Sequence, residues 1–398
     1  MNSNGKRRMN RIISIDVMRT LALILMVICH FQVYLSNSHA GNTADQWTFF
    51  VANHVLGDFA APWFLFLMGV SQILSAKKRE SVQASIGRRA FSRGVFLFLI
   101  GLVFAGVAFG PSEIWGWDIL PLIGVSLVMC FLCRNVPSWV LITGCALVIA
   151  ISPSLRGFVN FTNQWGGHME QVPVISDFLP GILYDPAEEY RVIWSFRPII
   201  TGFFLTGYFP LLPWIAFPLM GVVIGRRIIM GRIADDVPLL STLGAILSVS
   251  AIAVAYASTF QPDVLPITSH IAPLSFYPDS TSMIALQIGC TLLVFSALYV
   301  FFDNSRKPAD ALSPFVVYCT RMSRFSLSFY VIHHLSIFWP LWLWKFYSGE
   351  FLYEEALSPV EASVLSVVFT ALFFIFLNYW NRKGGKFSLE WLQSRVVG

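Results

Sequence analysis

Charge is scarce in this chain: Asp, Glu, Lys and Arg make up only 12% of its 398 residues. An ordinary soluble domain carries about 25%. Half that fraction cannot cover the surface of one or several soluble globules. A soluble enzyme, a disordered chain and a nucleic-acid binder are therefore excluded. Zinc motifs such as H-E-x-x-H are missing, as are a Gly-rich phosphate loop and a G-x-S-x-G elbow. Cysteine is sparse too. Cys29, Cys130, Cys133, Cys145, Cys290 and Cys319 all fall in or beside apolar runs. Cys130 and Cys133 form a C-x-x-C with no second pair, so spacing argues against a zinc site or disulfide framework. They read as small packing residues, and no metal is expected. No internal repeat, inverted pair of broken segments or low-complexity tract is found. That weighs against a secondary transporter, whose folds commonly carry such repeats.

What is abundant is apolar. Hydrophobic residues are 56% of the chain, with 36 Phe and 13 Trp. Mean hydropathy is +0.66. A helix needs about 20 apolar residues to cross the hydrocarbon core. Ten such segments stand out, near 12–35, 49–76, 94–110, 118–133, 137–154, 211–229, 239–260, 283–302, 324–346 and 360–380. The expected fold is an all-α integral membrane protein of about ten transmembrane helices, one polytopic domain over residues 1–398. The run from Ile12 to Leu35 is longer than a signal-peptide core of about 7–15 residues. It reads as a retained first span despite Lys6, Arg7 and Arg8 ahead of it. A further stretch, 192–208, is broken by Arg197, Pro198 and Gly202 and reads as re-entrant or surface-lying.

Ten spans put both ends on one side. Counted that way, the side holding the termini carries 23 Lys and Arg, and the other side four: Arg156, Arg191, Arg197 and Lys345. Positive charge marks the cytoplasmic side, so both termini are expected there. Acidic residues run the opposite way, seven inside and 15 outside, giving +16 and −11, which sum to the net +5. Topology alone accounts for this split; a basic inner face would also draw in a polyanion. The longest outer loop, 155–210, holds Trp165-Gly166-Gly167-His168 and the acids Asp185, Glu188 and Glu189. Loops that long are usually functional.

Ionisable groups inside spans are costly and mark candidate sites. The first span carries Asp16, Arg19 and His30. Asp16 and Arg19 share a face and could simply neutralise each other. His30 lies eleven residues past Arg19, about 16 Å along the axis and nearly a whole number of turns. The second span opens with Asn53-His54, then Asp58, Pro62 and Trp63. His54 and Asp58 are spaced i, i+4 and can meet. A carboxylate fixes an imidazole's tautomer, as a general base needs; a capped pair at the lipid interface is the plainer reading. The ninth span holds His333 and His334. Adjacent helical positions diverge by about 100°, so at most one faces a given site and the other bonds a neighbouring helix. His39, His168 and His270 fall in outer loops and receive no role. Residues alone fit two chemistries: group transfer through a membrane pore from an anionic donor inside, or proton-coupled transport of a carbohydrate or acyl compound.

Several runs carry a family resemblance. Ser14-Ile15-Asp16-Val17-Met18-Arg19 through His30 has the R-x10-H spacing of the acyltransferase-3 family. Asp58-Phe59-Ala60-Ala61-Pro62-Trp63-Phe64-Leu65-Phe66-Leu67-Met68-Gly69 resembles the D-x3-P-W-F-x-F-x-M-G run of the heparan-alpha-glucosaminide N-acetyltransferase family. Phe209-Pro210-Leu211-Leu212-Pro213-Trp214 resembles that family's P-L-x-P-W. Ser326 to His333 resembles an S-L-x-x-Y-x-x-H run, and Ser388-Leu389-Glu390-Trp391-Leu392 its cytoplasmic tail. These runs extend in order from residue 14 to 392.

The resemblance implies a transmembrane acyltransferase. It would move an acyl group, first of all acetyl, from cytoplasmic acyl-CoA to the amine or hydroxyl of an extracytoplasmic sugar or glycan. It implies catalytic roles for His54, Asp58 and His30. The position of Arg19 below His30 and the basic cluster from Lys77 to Arg93 predict CoA contacts at Arg19, Arg88 and Arg89. Asn53, Trp63, His333 and His334 are the candidates for acceptor binding, with Asn53 or Trp63 also able to donate to the oxyanion. His54 sits closer to Asp58 than the family's active-site histidine does, so the base is His54 or His30. The bilayer, acyl-CoA and the sugar are the expected partners, a homodimer is an allowed assembly, and the bacterial inner membrane is the expected location.

Overall fold

The computed structural model describes residues 11–37, 42–80, 86–158, 196–260, 271–277, 279–304 and 314–397. His39, His168, His270, Asp185, Glu188, Glu189 and Arg191 lie outside them, as does most of the long loop. The described chain is helical, with a single isolated bridge between Ser36 and Leu357. The first part runs through α1 (Ile13–Leu35), α2 (Thr43–Phe50), α3 (Ala60–Glu80), α4 (Ile86–Ala108), α5 (Ile119–Leu132) and α6 (Ser138–Phe158). The middle comprises α7 (Phe196–Thr201), the single turn α8 (Leu211–Trp214), α9 (Ala216–Ile229), α10 (Ile233–Ser258) and α11 (Thr281–Phe302). The last part comprises α12 (Pro314–Arg324), α13 (Ser326–Ser348), α14 (Pro359–Arg382) and α15 (Leu389–Val397).

Among the described residues, nine stretches are long and apolar enough to cross a membrane; they contain α1, α2 with α3, α4, α5, α6, α7 with α9, α10, α11 and α14. The tenth expected span corresponds to α13, a helix of 23 residues. Its paired histidines and its aromatic residues with polar edges lower its hydropathy. The protein is an all-α integral membrane protein. The stretch expected to be re-entrant enters at Phe196 as α7, continues as a π turn over Gly202–Thr206, and breaks before α8. From Ile199 it is continuous with the stretch that holds α9.

The outer faces show why the chain needs lipid. Val364, Val367, Leu372 and Ile375 on α14 are exposed, as are Leu239, Ile246 and Val249 on α10. Hydrocarbon, not water, suits such a face. Between helices, backbones approach closely through small residues, as membrane packing favours. A Cβ on Gly69 of α3 would lie 2.0 Å from the Pro218 carbonyl oxygen of α9, and one on Gly221 would lie 2.1 Å from that of Phe66.

α1 is the hub, packed on α3, α11, α12, α13 and α14. Its outer end is tied down by the loop before α14: Leu357 N–H donates to Leu35 O at 2.8 Å and Glu354 N–H to Tyr34 O at 3.1 Å. α14 starts with a capping box, Ser358 with Glu361, and Pro359 in its first turn, a combination that satisfies orphan donors. One fully buried charge pair braces the bundle. Arg156 lies 3.8 Å from the Asp279 carboxylate, and the Trp214 indole also donates to it. Burial pushes the Asp279 carboxyl up, and the Arg156 guanidinium and the indole N–H pull it back.

Candidate active site

A cavity of about 1180 Å³ runs between α1, α3, α4, α5 and α13. At the end near the start of α1 it is lined by Arg19, Ser71, Arg93, Ser323, Arg324 and Glu390. At the other end it is lined by Asn53, His54, Asp58, Glu113, Tyr208 and Tyr353. His30, His334, Tyr330 and Asp118 line the wall between.

Arg19 is not neutralised by Asp16, the pairing that the shared face suggested. Asp16 instead takes Arg11, whose Nη2–H donates to Oδ1 at 3.1 Å. Arg19 donates to two hydroxyls, Ser323 Oγ and Ser71 Oγ, each at 2.6 Å. Hydroxyls hold a guanidinium in place without cancelling its charge. No carboxylate pairs with it among the described residues, so it faces the cavity as a positioned cation. Arg88 and Arg89 are not on the cavity wall. Arg93, one turn beyond Arg89 on α4, is, and so is Arg324. Both were counted in the basic inner face but not singled out.

The outer end departs from regular helix. Val51–Leu56 form a π turn and Gly57–Phe59 a 3₁₀ turn; π turns recur at functional sites. The i, i+4 spacing of His54 and Asp58 assumed an α-helix. With the turn widened, His54 Nδ1 lies 3.8 Å from Asp58 Oδ2, and the His54 side chain is 57% exposed. That is an ion-pair distance, too long for a hydrogen bond. Asn53 is buried, and neither its Nδ2 nor its Oδ1 has a hydrogen-bond partner among the described residues. The same holds for Trp63 Nε1, but Trp63 does not line the cavity. Asn53 therefore holds an unspent, buried donor in a residue of the cavity wall, the kind of group an oxyanion requires.

Three histidines meet beside the wall between the two ends. His30 Nδ1 lies 2.8 Å from His333 Nε2. The two rings are within 4° of parallel with centroids 5.1 Å apart, the separation that a straight in-plane N–H···N contact requires. His333 Nδ1 contacts Phe329 O at 3.1 Å and His334 Nδ1 contacts Tyr330 O at 3.0 Å. One nitrogen from each ring falls within 4.8 Å of the others, close enough to hold a metal ion. His30 and His333 bond each other, and His333 and His334 each bond a backbone carbonyl one turn back. The divergence of adjacent helical residues shows directly: His334 lines the cavity, and His333 turns to His30. Two further acids line the wall unforeseen. Tyr330 O–H donates to Asp118 Oδ2, and Tyr208 O–H to Glu113 Oε2 at 3.0 Å. Asp118 opens an apolar run, and that signal could have found it.

Comparison with curated proteins gives no match. The model of the heparan-alpha-glucosaminide N-acetyltransferase catalytic domain matches residues 11–252, well over half of the chain. The match covers α1 to most of α10, with Arg19, His30, Asn53, His54 and Asp58, and stops before α13. The chain belongs to the heparan-alpha-glucosaminide N-acetyltransferase catalytic family, whose members are transmembrane acetyltransferases.

Proposed function

We propose that this protein transfers an acyl group, acetyl first of all, from cytoplasmic acyl-CoA to the amine or hydroxyl of a sugar or glycan outside the bacterial inner membrane. One observation carries the reading: a single cavity connects an arginine end, around Arg19, to an end lined by Asn53, His54 and Asp58, past buried imidazoles. An anionic donor suits the first end, because Arg grips phosphate bidentately. The acceptor suits the second.

The thioester is already activated, so the chain has little to add covalently. The acceptor's N–H or O–H gives its proton to an imidazole as its N or O bonds to the thioester carbonyl carbon. The oxyanion takes a hydrogen bond, which Asn53 Nδ2 can supply. The C–S bond then breaks, and the CoA thiolate leaves with the proton from the imidazole.

The test is transfer across a bilayer. Proteoliposomes are loaded with radiolabelled acetyl-CoA on the Arg19 side and given D-glucosamine or a glycan on the other. Label should appear on the acceptor and depend on the protein. Failure of purified protein to bind CoA would sink the reading.

A further inference from the structure

His333 does not touch the cavity, yet it holds a residue that does. The direction of that contact follows from its neighbours. A carbonyl oxygen only accepts, so His333 Nδ1, 3.1 Å from Phe329 O, carries the proton. No carboxylate pairs with His30, His333 or His334 among the described residues, and a lone buried cation inside a span is costly. His333 is neutral, so its Nε2 is a bare lone pair and must accept. His30 Nδ1, 2.8 Å away, is then the donor. In a neutral ring only one nitrogen carries hydrogen. His30 Nε2 is therefore bare, and His30 lines the cavity.

We propose that His333 is a positioning residue that fixes the tautomer of His30, leaving His30 Nε2 as the base for acyl transfer. This rests on the acyl-transfer reading for its kinetic consequence, and on geometry alone for the tautomer. In the transfer step the acceptor's proton goes to His30 Nε2 as its N or O bonds to the carbonyl carbon. His30 is briefly an imidazolium, and its Nδ1–H···Nε2 bond to His333 becomes charge-assisted, hence stronger. The C–S bond breaks and the thiolate removes the proton from Nε2. The role is that of the aspartate beside a catalytic histidine, which holds tautomer and orientation. A neutral imidazole does this without burying an anion in the bilayer. His54, more than half exposed and 3.8 Å from its carboxylate, is held far less firmly.

The tautomer can be read directly. Full-length protein labelled with ¹⁵N-histidine is examined by long-range ¹H–¹⁵N correlation, the His30 signals being identified by their loss in His30→Gln. Wild type should show His30 protonated at Nδ1 and bare at Nε2. His333→Leu should move the proton to Nε2. His333→Gln should keep the wild-type pattern, because its carbonyl replaces the lost acceptor. His333→Asn fits the same space without the reach, and stands in for the leucine variant if that does not fold. A wild-type His30 protonated at Nε2, or the same tautomer in His333→Leu or Asn, overturns the proposal. So does a stoichiometric divalent metal in purified wild type, since the ring nitrogens would then be ligands. With acetyl-CoA and D-glucosamine as probes, the leucine variant should lose about 10²-fold or more in kcat. CoA affinity should be unchanged, and the glutamine variant should recover most of the loss. Full kcat in His333→Leu also overturns it. If wild type does not turn glucosamine over, the acyl-transfer reading is what has been challenged, and the tautomer measurement still decides the role of His333.

Discussion

Glu390 grips Ser328 twice: Oε1 accepts its backbone N–H at 3.0 Å, and Oε2 accepts its hydroxyl at 2.5 Å. Oε1 also accepts from Leu327 N at 2.8 Å. A residue of α15 thus satisfies orphan donors at the start of α13, the helix that carries His333 and His334. Such a cap is worth about 0.5–2 kcal/mol. Glu390→Ala should lower the midpoint of thermal unfolding, and Glu390→Gln, which keeps one acceptor, should lower it less. A scanning fluorimetry series in detergent measures both.

Arg19 should matter to the donor more than any other arginine tested. Hydrogen bonds to charged groups are worth about 1.5–3 kcal/mol, so Arg19→Ala should weaken CoA binding about 10- to 100-fold. Removing Arg88 and Arg89 together should cost less, since neither is on the cavity wall. Calorimetric titration of purified protein with CoA separates the two, and equal losses would contradict the placement.

Turnover should rank the histidines. His30→Ala should lower kcat by about 10²–10⁴ with CoA affinity intact. His54→Ala should act mainly on acceptor KM, as a residue of the mouth, and Asp58→Asn should follow it with a smaller effect. If His54→Ala abolishes kcat while His30→Ala retains it, the base is His54.

Gly57, at the start of the 3₁₀ turn, sets how close that turn comes to α1. A Cβ there would lie 2.5 Å from Cys29 Sγ and 2.7 Å from Cys29 Cβ. Overpacking of this kind costs about 1–3 kcal/mol. Gly57→Ala should destabilise the protein, and adding Cys29→Gly should restore part of the loss. A double-mutant cycle on thermal stability gives the coupling.

The 23-to-4 split of basic residues predicts that both ends are cytoplasmic. Cysteines introduced at Lys77 and Lys383 should be shielded from a membrane-impermeant maleimide in intact cells. One at Glu354 should react. Reaction at Lys383 with protection at Glu354 would reverse the orientation, and labelling of both from one side would mean that α14 does not cross.

Most of the fold was legible because a membrane span announces itself in one run of about 20 apolar residues. Even α13, below the others in hydropathy, stood out. What sequence spacing could not supply is the partner of each polar group. Asp16 and Arg19 share a face, but Arg11, at the entry to α1, takes the carboxylate. His54 and Asp58 sit four apart, but spacing cannot foresee a π turn that loosens their contact. Helical divergence did separate His333 from His334. It could not say that the helix met by His333 is α1, because nothing local links residues 303 positions apart.

That separation has a consequence for biogenesis. His30 sits on α1, and His333 sits on α13, 303 positions later in the chain. Until α13 is in place, His30 lacks the His333 contact that fixes its proton position. Only insertion of α13, locked by Glu390 near the C-terminus, completes the pair.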